Sequence, residues 1–467
     1  MIRYFINKEI DSKVNQWAIE FLLQSAGFKA VKIKELNADV NLYYGNDEIE
    51  FKSLSEALII KNDYNISVEE LNIDITELTY LNEINYDIIY ATKLFLTDQI
   101  HSDLEIADFD IHNRLNYNSS FQHKNEIGNI PLLNYYVSIL RNTIQKKFNI
   151  APIPSLPKNY KSVVILSHDV DEPYRYAIFK DFNKRLKILS LKNKFKYCWL
   201  SFRKKARCML FKGKNSYLNF EKIIAVEAKY GFSSTFFFTA KSKFDKNSDF
   251  TYDNSYDIAW KEFEDIFECL NENGFEIGLH STYNSHKEKA FFIIEKGKLE
   301  IHAKRTISGN RQHFWNLGSN PEKTLLKHQQ AGLEYDSSIA FNDSPGYRNN
   351  VALPYYPFNS QNNKSLKTLQ IPNFIMDTNL IKETVNEEQV LEKAIKLIEV
   401  LEKSKGIAAI NWHVRMAYPN DPKLAIYGKT YLNILSYLSK KEAIWVTSFE
   451  KYMKWHKQRE KQLNDLA

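Results

Sequence analysis

Short apolar runs that end in polar or ionisable side chains recur through the later part of the chain. SVVILS, SSTFFFTA, FEIGLH, ISGNRQHF, LEYDSSIA, KTLQIPNF, IAAINWH and AIWVTS read as strands. Segments of helical period fall between several of them: HKEKAFFIIEKGKLEIHA, NEEQVLEKAIKLIEVLEK and KTYLNILSYLSK. Strand alternating with helix predicts parallel strands joined by right-handed crossovers. Seven or eight such units point to an α/β barrel, whose chemistry sits at the C-terminal ends of its strands.

The first 150 residues have a different pattern. FINKEIDSKVNQWAIEFLLQSAGF leads into a helical period, VNLYYG and EALIIKND alternate as strands, and PLLNYYVSILRNTIQKKF is amphipathic. Pro152, Pro154 and Pro157 then break the pattern in APIPSLPKNYKS. The predicted organisation is an accessory N-terminal α/β domain over 1–150 and a proline-rich linker at 151–160. The barrel follows over 161–457, with an insert at 180–214.

Composition narrows the class. A hydrophobic share of 44% with 14% aromatic residues belongs to a folded chain, and 14 Gly with 12 Pro exclude a fibrous or repeat protein. Cys198, Cys208 and Cys269 form neither a disulfide framework nor a CxxC pair, which fits a reducing compartment. The N-terminal residues MIRYFINKEIDSK lack the apolar core of a signal peptide, and no apolar run approaches the roughly 18 residues of a membrane span. A cytoplasmic protein is expected.

The net charge of +6 is unevenly spread: residues 180–214 hold 13 Lys/Arg against Asp181 alone, which leaves the rest of the chain at −6. In that insert Leu186, Phe195, Trp199 and Phe211 are interleaved with the basic residues. Peripheral contact with an anionic membrane is the sharper expectation, and a solvated helical excursion the plainer one. Nothing else in the chain supports binding to nucleic acid.

The strand ends carry the candidate chemistry. Asp169 and Asp171 follow SVVILS, His280 ends FEIGL, Arg311 and His313 lie in GNRQHF, and His413 ends IAAINW. Residues two apart on an extended chain share a side, so Asp169 and Asp171 can face one cleft while His168 and Val170 point away. Two carboxylates this close need a cation between them or a positive partner for one. A divalent metal on one, with the other acting as a base beside it, meets both demands; His280 can supply an imidazole ligand and Arg311 can hold the base ionised.

In order, SHDVD, TFFF, EIGLHSTYNS, GNRQHF and INWH resemble the polysaccharide deacetylases of carbohydrate esterase family 4, and more narrowly a bacterial subgroup with an extra N-terminal domain. The resemblance implies a distorted (β/α) barrel of about seven strands, a divalent metal (commonly zinc) and hydrolysis of acetyl groups on sugars. It implies Asp169 as catalytic base, Asp171 and His280 as metal ligands, Arg311 as the group that orients the base, and His413 as the proton donor to the leaving group. Val170 separates the two aspartates. The family's usual His-x-x-x-His is altered here, because Asn284 stands four residues after His280 and the next histidine is His286.

The third metal ligand is therefore Asn284, His286 or His313. His313 is favoured because it lies two residues from Arg311 on the same face. Arg348 and Trp412 are expected to line a sugar cleft, while Asp336, Asp343, Asp377 and Tyr347 stay open between cleft and turn roles. The expected activity is removal of acetyl groups from an N-acetylated sugar in cell-surface polysaccharide or lipid-linked glycan metabolism. An inactive barrel that binds glycan or scaffolds an assembly is the alternative, and an amidase acting on a small amide is a third reading.

Overall fold

The computed structural model describes residues 1–47, 54, 56–62, 87–157, 159–173, 199, 217–241, 252–254, 256–382 and 386–466. Apart from Trp199, the basic segment 180–214 lies outside the described residues, as do Cys198 and Cys208. β1 (Ile2–Ile6), β2 (Ala30–Lys32), β3 (Leu42–Tyr44) and β4 (Leu58–Ile60) form a parallel sheet in the order β2-β1-β3-β4. The helix Lys13–Ala26 starts where the Ser12 side chain accepts from the Asn15 N–H, and it ends at Gly27, whose φ of 95° suits glycine. A Cβ on Gly27 would collide with the Ile153 carbonyl, and Ile153 N donates to Gly27 O at 2.8 Å. The proline-rich segment is thereby fastened to the first helix.

The larger sheet begins with β5 (Ser162–Val170), β6 (Thr235–Phe238), β7 (Glu276–Ser281), β8 (Gly309–Gln312) and β9 (Tyr335–Asp336). A small antiparallel hairpin of β10 (Phe358–Asn359) and β11 (Lys364–Ser365) stands apart. β12 (Leu369–Gln370), β13 (Asn373–Met376), β14 (Ile407–Asn411) and β15 (Ile444–Thr447) complete the nine strands, in the order β12-β9-β8-β7-β6-β5-β14-β13, with β15 beside the first half of β5. The pairings in this sheet are parallel. The architecture is a distorted (β/α) barrel with an additional N-terminal α/β part.

The run KTLQIPNF is predicted as one strand and is instead two, on opposite edges of the sheet. Leu369 and Gln370 pair with β9, whereas Asn373 to Met376 pair with β14. Pro372, with no N–H to give a ladder, marks the exchange. Ile371 N still donates to Asp336 O at 2.9 Å, and Pro372 O already accepts from Ala409 N at 2.8 Å. One continuous segment thus bonds both ends of the sheet and closes the curl.

Alternation along β5 sorts its side chains between two cores. Val164 and Leu166 pack outward among the helices around the barrel. Val163 and Ile165 face inward and share a core with Phe237, Tyr335 and Phe449, and also with Trp17 and Leu22 of the first helix and Tyr136 and Leu140 of the helix Leu132–Phe148. The apolar core therefore runs through the proline-rich segment without a break. Buried Asn134 reinforces the join, donating to Ala352 O and Ser404 O at 3.2 Å each and accepting from Ala352 N at 2.8 Å. No helix among the described residues is long and apolar enough to cross a membrane.

Removing residues 1–150 would expose the inner core, so a 151–467 fragment is expected to aggregate or lose near-ultraviolet circular dichroism; a soluble fragment with native spectra would contradict the shared core. A second prediction concerns Glu295 on the helix Lys289–Ala303, which accepts from Thr282 N, Thr282 Oγ1 and Ser285 Oγ just beyond β7. Burial pushes its carboxyl up to about 7 despite these bonds. Below the unfolded value near 4.5 both states hold the proton; between there and 7 only the folded state does, so stability falls as pH rises. Urea titrations at pH 5, 6 and 7 are expected to show Glu295→Gln losing part of the parent's decline, worth roughly 2 kcal/mol across that interval.

Candidate active site

Ser167 and Asp169 continue the inward side of β5 beyond its apolar half. Asp169 is 3% exposed and Arg311, on β8, is fully buried. Arg311 donates to Asp169 Oδ1 at 3.0 Å, to Ser167 Oγ at 2.9 Å and to Ser337 O at 3.3 Å. Asn411, at the end of β14, donates to the other carboxylate oxygen at 2.7 Å. The guanidinium carbon lies 4.5 Å from the centre of the Phe237 ring and 5.8 Å from that of Phe449, so aromatic faces form its floor. Burial works to raise the Asp169 carboxyl, but Arg311, with His280 and His413, holds it below the usual carboxylate range.

Asp171 lies just past β5 and collects four nitrogen partners. Its Oδ1 is 3.2 Å from His280 Nε2 and 3.5 Å from His313 Nε2, while Oδ2 is 3.1 Å from His413 Nε2 and 3.2 Å from Arg415. Burial opposes its ionisation, yet His413, His280 and His313 hold its carboxyl well below the ordinary value. One ligand-type atom from each of Asp171, His280 and His313 lies within 4.8 Å of the others. Both histidines are tied behind: His280 Nδ1 is 2.7 Å from Arg311 O, and His313 Nδ1 is 3.4 Å from Asp253 Oδ1. Fixing the far nitrogen in this way turns Nε2 to the cavity, as in histidines that ligate a metal. The donor set of one carboxylate and two imidazoles fits a divalent cation.

His313 stands at the start of a backbone reversal. The predicted strand ISGNRQHF stops at Gln312, and Phe314 and Trp315 take φ values of 58° and 52°, left-handed values that bulky residues rarely adopt. The Phe314 carbonyl exposed by this turn accepts from Arg114 at 2.9 Å. Among the three candidates for the third ligand, His313 stands in the cluster; neither His286, whose Nδ1 is 2.9 Å from Tyr283 O, nor Asn284 lines the cavity.

His413 enters from the end of β14. Its Nδ1 lies 2.9 Å from both oxygens of Asp377, which also accepts from the His413 N–H at 2.6 Å. Burial works to lower its pKa, but Asp377 and Asp171 raise it to about 10, so the ring is an imidazolium at neutral pH. Asp169, Asp171, His280, His313 and His413 line one cavity of about 180 Å³, together with Arg114, Arg415, Asn342 and Thr378. Arg311 sits directly beneath it.

Two expected cleft residues are elsewhere. Trp412 is fully buried in the outer core, its indole N–H donating to Met416 O at 3.3 Å and its ring beside Tyr431, so no face is left for a sugar. Arg348 is clamped by both guanidinium nitrogens onto Asp98 at 2.8 Å and lines a neighbouring cavity instead. His168 points outward as expected, with Nδ1 at 2.7 Å from Trp412 O and Nε2 at 2.8 Å from Glu227. Asn411, Arg415, Asp253 and Arg114 were not anticipated. Only Asn411 left a legible signal, since it stands two residues before His413 on the same face of INWH.

Arg311 and Asp169 are expected to be strongly coupled. Arg311→Met leaves a buried carboxylate without its partner and should cost roughly 3–5 kcal/mol, and adding Asp169→Asn should restore roughly 1–3 kcal/mol of it. Guanidinium unfolding of parent, both single variants and the double variant measures this; simple additivity would mean that the pair is not what keeps the carboxylate ionised.

No protein-family model and no curated protein matches the chain. Among solved structures it is similar to a protein from Mycobacterium smegmatis assigned as a polysaccharide deacetylase, with 12% identity and a TM-score of 0.43 over 67% of this chain and 95% of that one. A family 4 carbohydrate esterase from Streptomyces lividans, in complex with acetate, gives 8% identity and a TM-score of 0.30 over 61% and 91%. A CE4 family pseudoenzyme from Bacillus anthracis gives 11% and 0.31 over 65% and 70%. In its structure the chain is thus similar, at low identity, to proteins described as polysaccharide deacetylases and CE4 family members.

Proposed function

We propose that the chain is a metal-dependent hydrolase that removes acetyl groups from an N-acetylated sugar, breaking a carbon–nitrogen bond that is not a peptide bond. One observation carries the reading. A carboxylate kept ionised by Arg311, a three-donor cluster and an imidazole kept protonated by Asp377 all open onto one cavity. Asp171, His280 and His313 would hold a divalent cation, with zinc suited to the two imidazoles; when bound it polarises an acyl oxygen and lowers the pKa of water.

The chain's own groups divide the proton work between them. Asp169, with Oδ2 at 4.0 Å from His280 Nε2, stands beside the donor cluster and takes the proton of the attacking water. Arg311 and Asn411 fix both of its oxygens, so it meets the water in one orientation. His413, bonded to the opposite oxygen of Asp171, gives its Nε2 proton to the departing amine. Asp377 secures the Nδ1 proton throughout. Arg415 bonds the same Asp171 oxygen as His413, so the oxygen beside His280 and His313 would be the one available to a cation. The 180 Å³ volume admits the reacting group and its immediate surroundings rather than a whole polymer segment. An inactive glycan-binding barrel has no use for a base and an acid with separate supports.

Protein purified without chelators is expected to carry close to one equivalent of metal by elemental analysis, and the Asp171→Ala/His280→Ala variant none. With zinc restored, the parent should release acetate from N-acetylated sugars. Asp169→Asn should lower that rate by about 100-fold or more while retaining its metal. A parent that takes up no metal even after soaking in zinc overturns the hydrolase reading and leaves the binding barrel.

A further inference from the structure

A second, larger cavity of about 470 Å³ adjoins the catalytic one, and Arg114 and Trp315 line both. One wall comes from residues 96–115 of the N-terminal part and the other from residues 315–358 of the barrel. Its lining includes buried Leu115, Leu325, Tyr355 and Phe358. At its rim Ile106 is 94% exposed, so an apolar side chain stands in solvent at the edge of a partly apolar hollow. Such an arrangement gains from an occupant that covers both.

The arginines in these walls are already matched, and Glu105 and Glu322 beside them add negative charge. Arg348 is paired in two bonds with Asp98, and Arg114 is held by Asp110 at 2.7 Å, by Phe314 O and by Asn342 Oδ1 at 2.8 Å. Neither arginine is left to bind a phosphate or a carboxylate. The chemistry that fits is an uncharged apolar group.

We infer that this cavity binds an alkyl or aryl group carried by the substrate next to the reacting acetamido group. The inference rests on the deacetylase reading for its orientation and takes the substrate as a 2-acetamido sugar, in which the carbon bearing the acetamido group neighbours the anomeric carbon. A group on the anomeric oxygen therefore enters the adjoining space once the acetamido group faces Asp169 and His413. The N-terminal part then serves as a selector for the substrate's apolar portion.

The test uses the full chain and ligands without an acetyl group, so that its result is independent of catalysis. Calorimetric titration with hexyl β-glucoside and methyl β-glucoside is expected to give at least tenfold tighter binding of the hexyl compound. Ala340→Trp, which fills the cavity from a half-buried position, and Ile106→Asp, which changes only the exposed rim, should each remove most of that preference. Thermal unfolding of both variants reports whether the fold is kept, and the rim variant stands if the filled one does not fold. Equal binding of the two glucosides by the parent, or a preference that survives in a folded variant, overturns the inference. Acetate release without a hexyl preference sinks this inference alone, whereas a hexyl preference without acetate release sinks the hydrolase reading alone.

Discussion

The ion pair between Arg311 and Asp169 is buried at the floor of the catalytic cavity, where solvent screens it little, and much of the barrel is arranged around that constraint. An arginine buried this deeply needs acceptors around it, which Ser167 and Asp169 on β5 and Ser337 just past β9 provide. It also needs a weakly polar floor, which Phe237 and Phe449 form. The same guanidinium lets two carboxylates stand one residue apart at the end of β5: Asp169 takes its charge from below, and Asp171 is left to the histidines above. Reversing the roles would put the cavity-lining partners of Asp171 out of reach, because Asp169 is held by Arg311 and Asn411 on its two oxygens.

Much of this was legible because inward and outward positions alternate on a strand. That rule separated Asp169 and Asp171 from His168, and the bonds of His168 to Trp412 O and Glu227 are those of an outward core residue. Applied to INWH, the same alternation puts Asn411 and His413 inward and Trp412 outward, so the placement of Trp412 in the outer core follows from a rule already in use. Arg348 is a different case. Its partner Asp98 lies 250 residues away in the N-terminal part, and no local pattern could announce it. Arg415 lies on a single short 3-10 turn and Asp253 in an irregular segment, neither with a period to read, and the reversal at Phe314 and Trp315 shows no glycine that would have marked it.

The boundary near residue 150 was read from three prolines, and prolines do interrupt the elements there. They do not interrupt the core. Trp17 and Tyr136 lie in one apolar cluster with Val163 and Phe237, and Arg114 reaches the wall of the catalytic cavity from the same N-terminal part. Sequence pattern records where secondary structure stops; it does not record whether two apolar faces on either side of that stop meet each other. Here they do, and the accessory part becomes a piece of the site's surroundings.

The seam at Ile371 and Pro372 has a mechanical meaning. Strands in an open sheet can each adjust their height against one neighbour, but this segment is geared to β9 on one side and β14 on the other by consecutive residues. A slip against one is passed to the other. Directly past its end comes Asp377, which grips His413 at both backbone and ring, and next to β9 comes Ser337, whose carbonyl anchors Arg311. The seam therefore works as a single spacer that sets the level of the proton donor on one wall and of the base's support on the other, so that the two cannot drift apart independently.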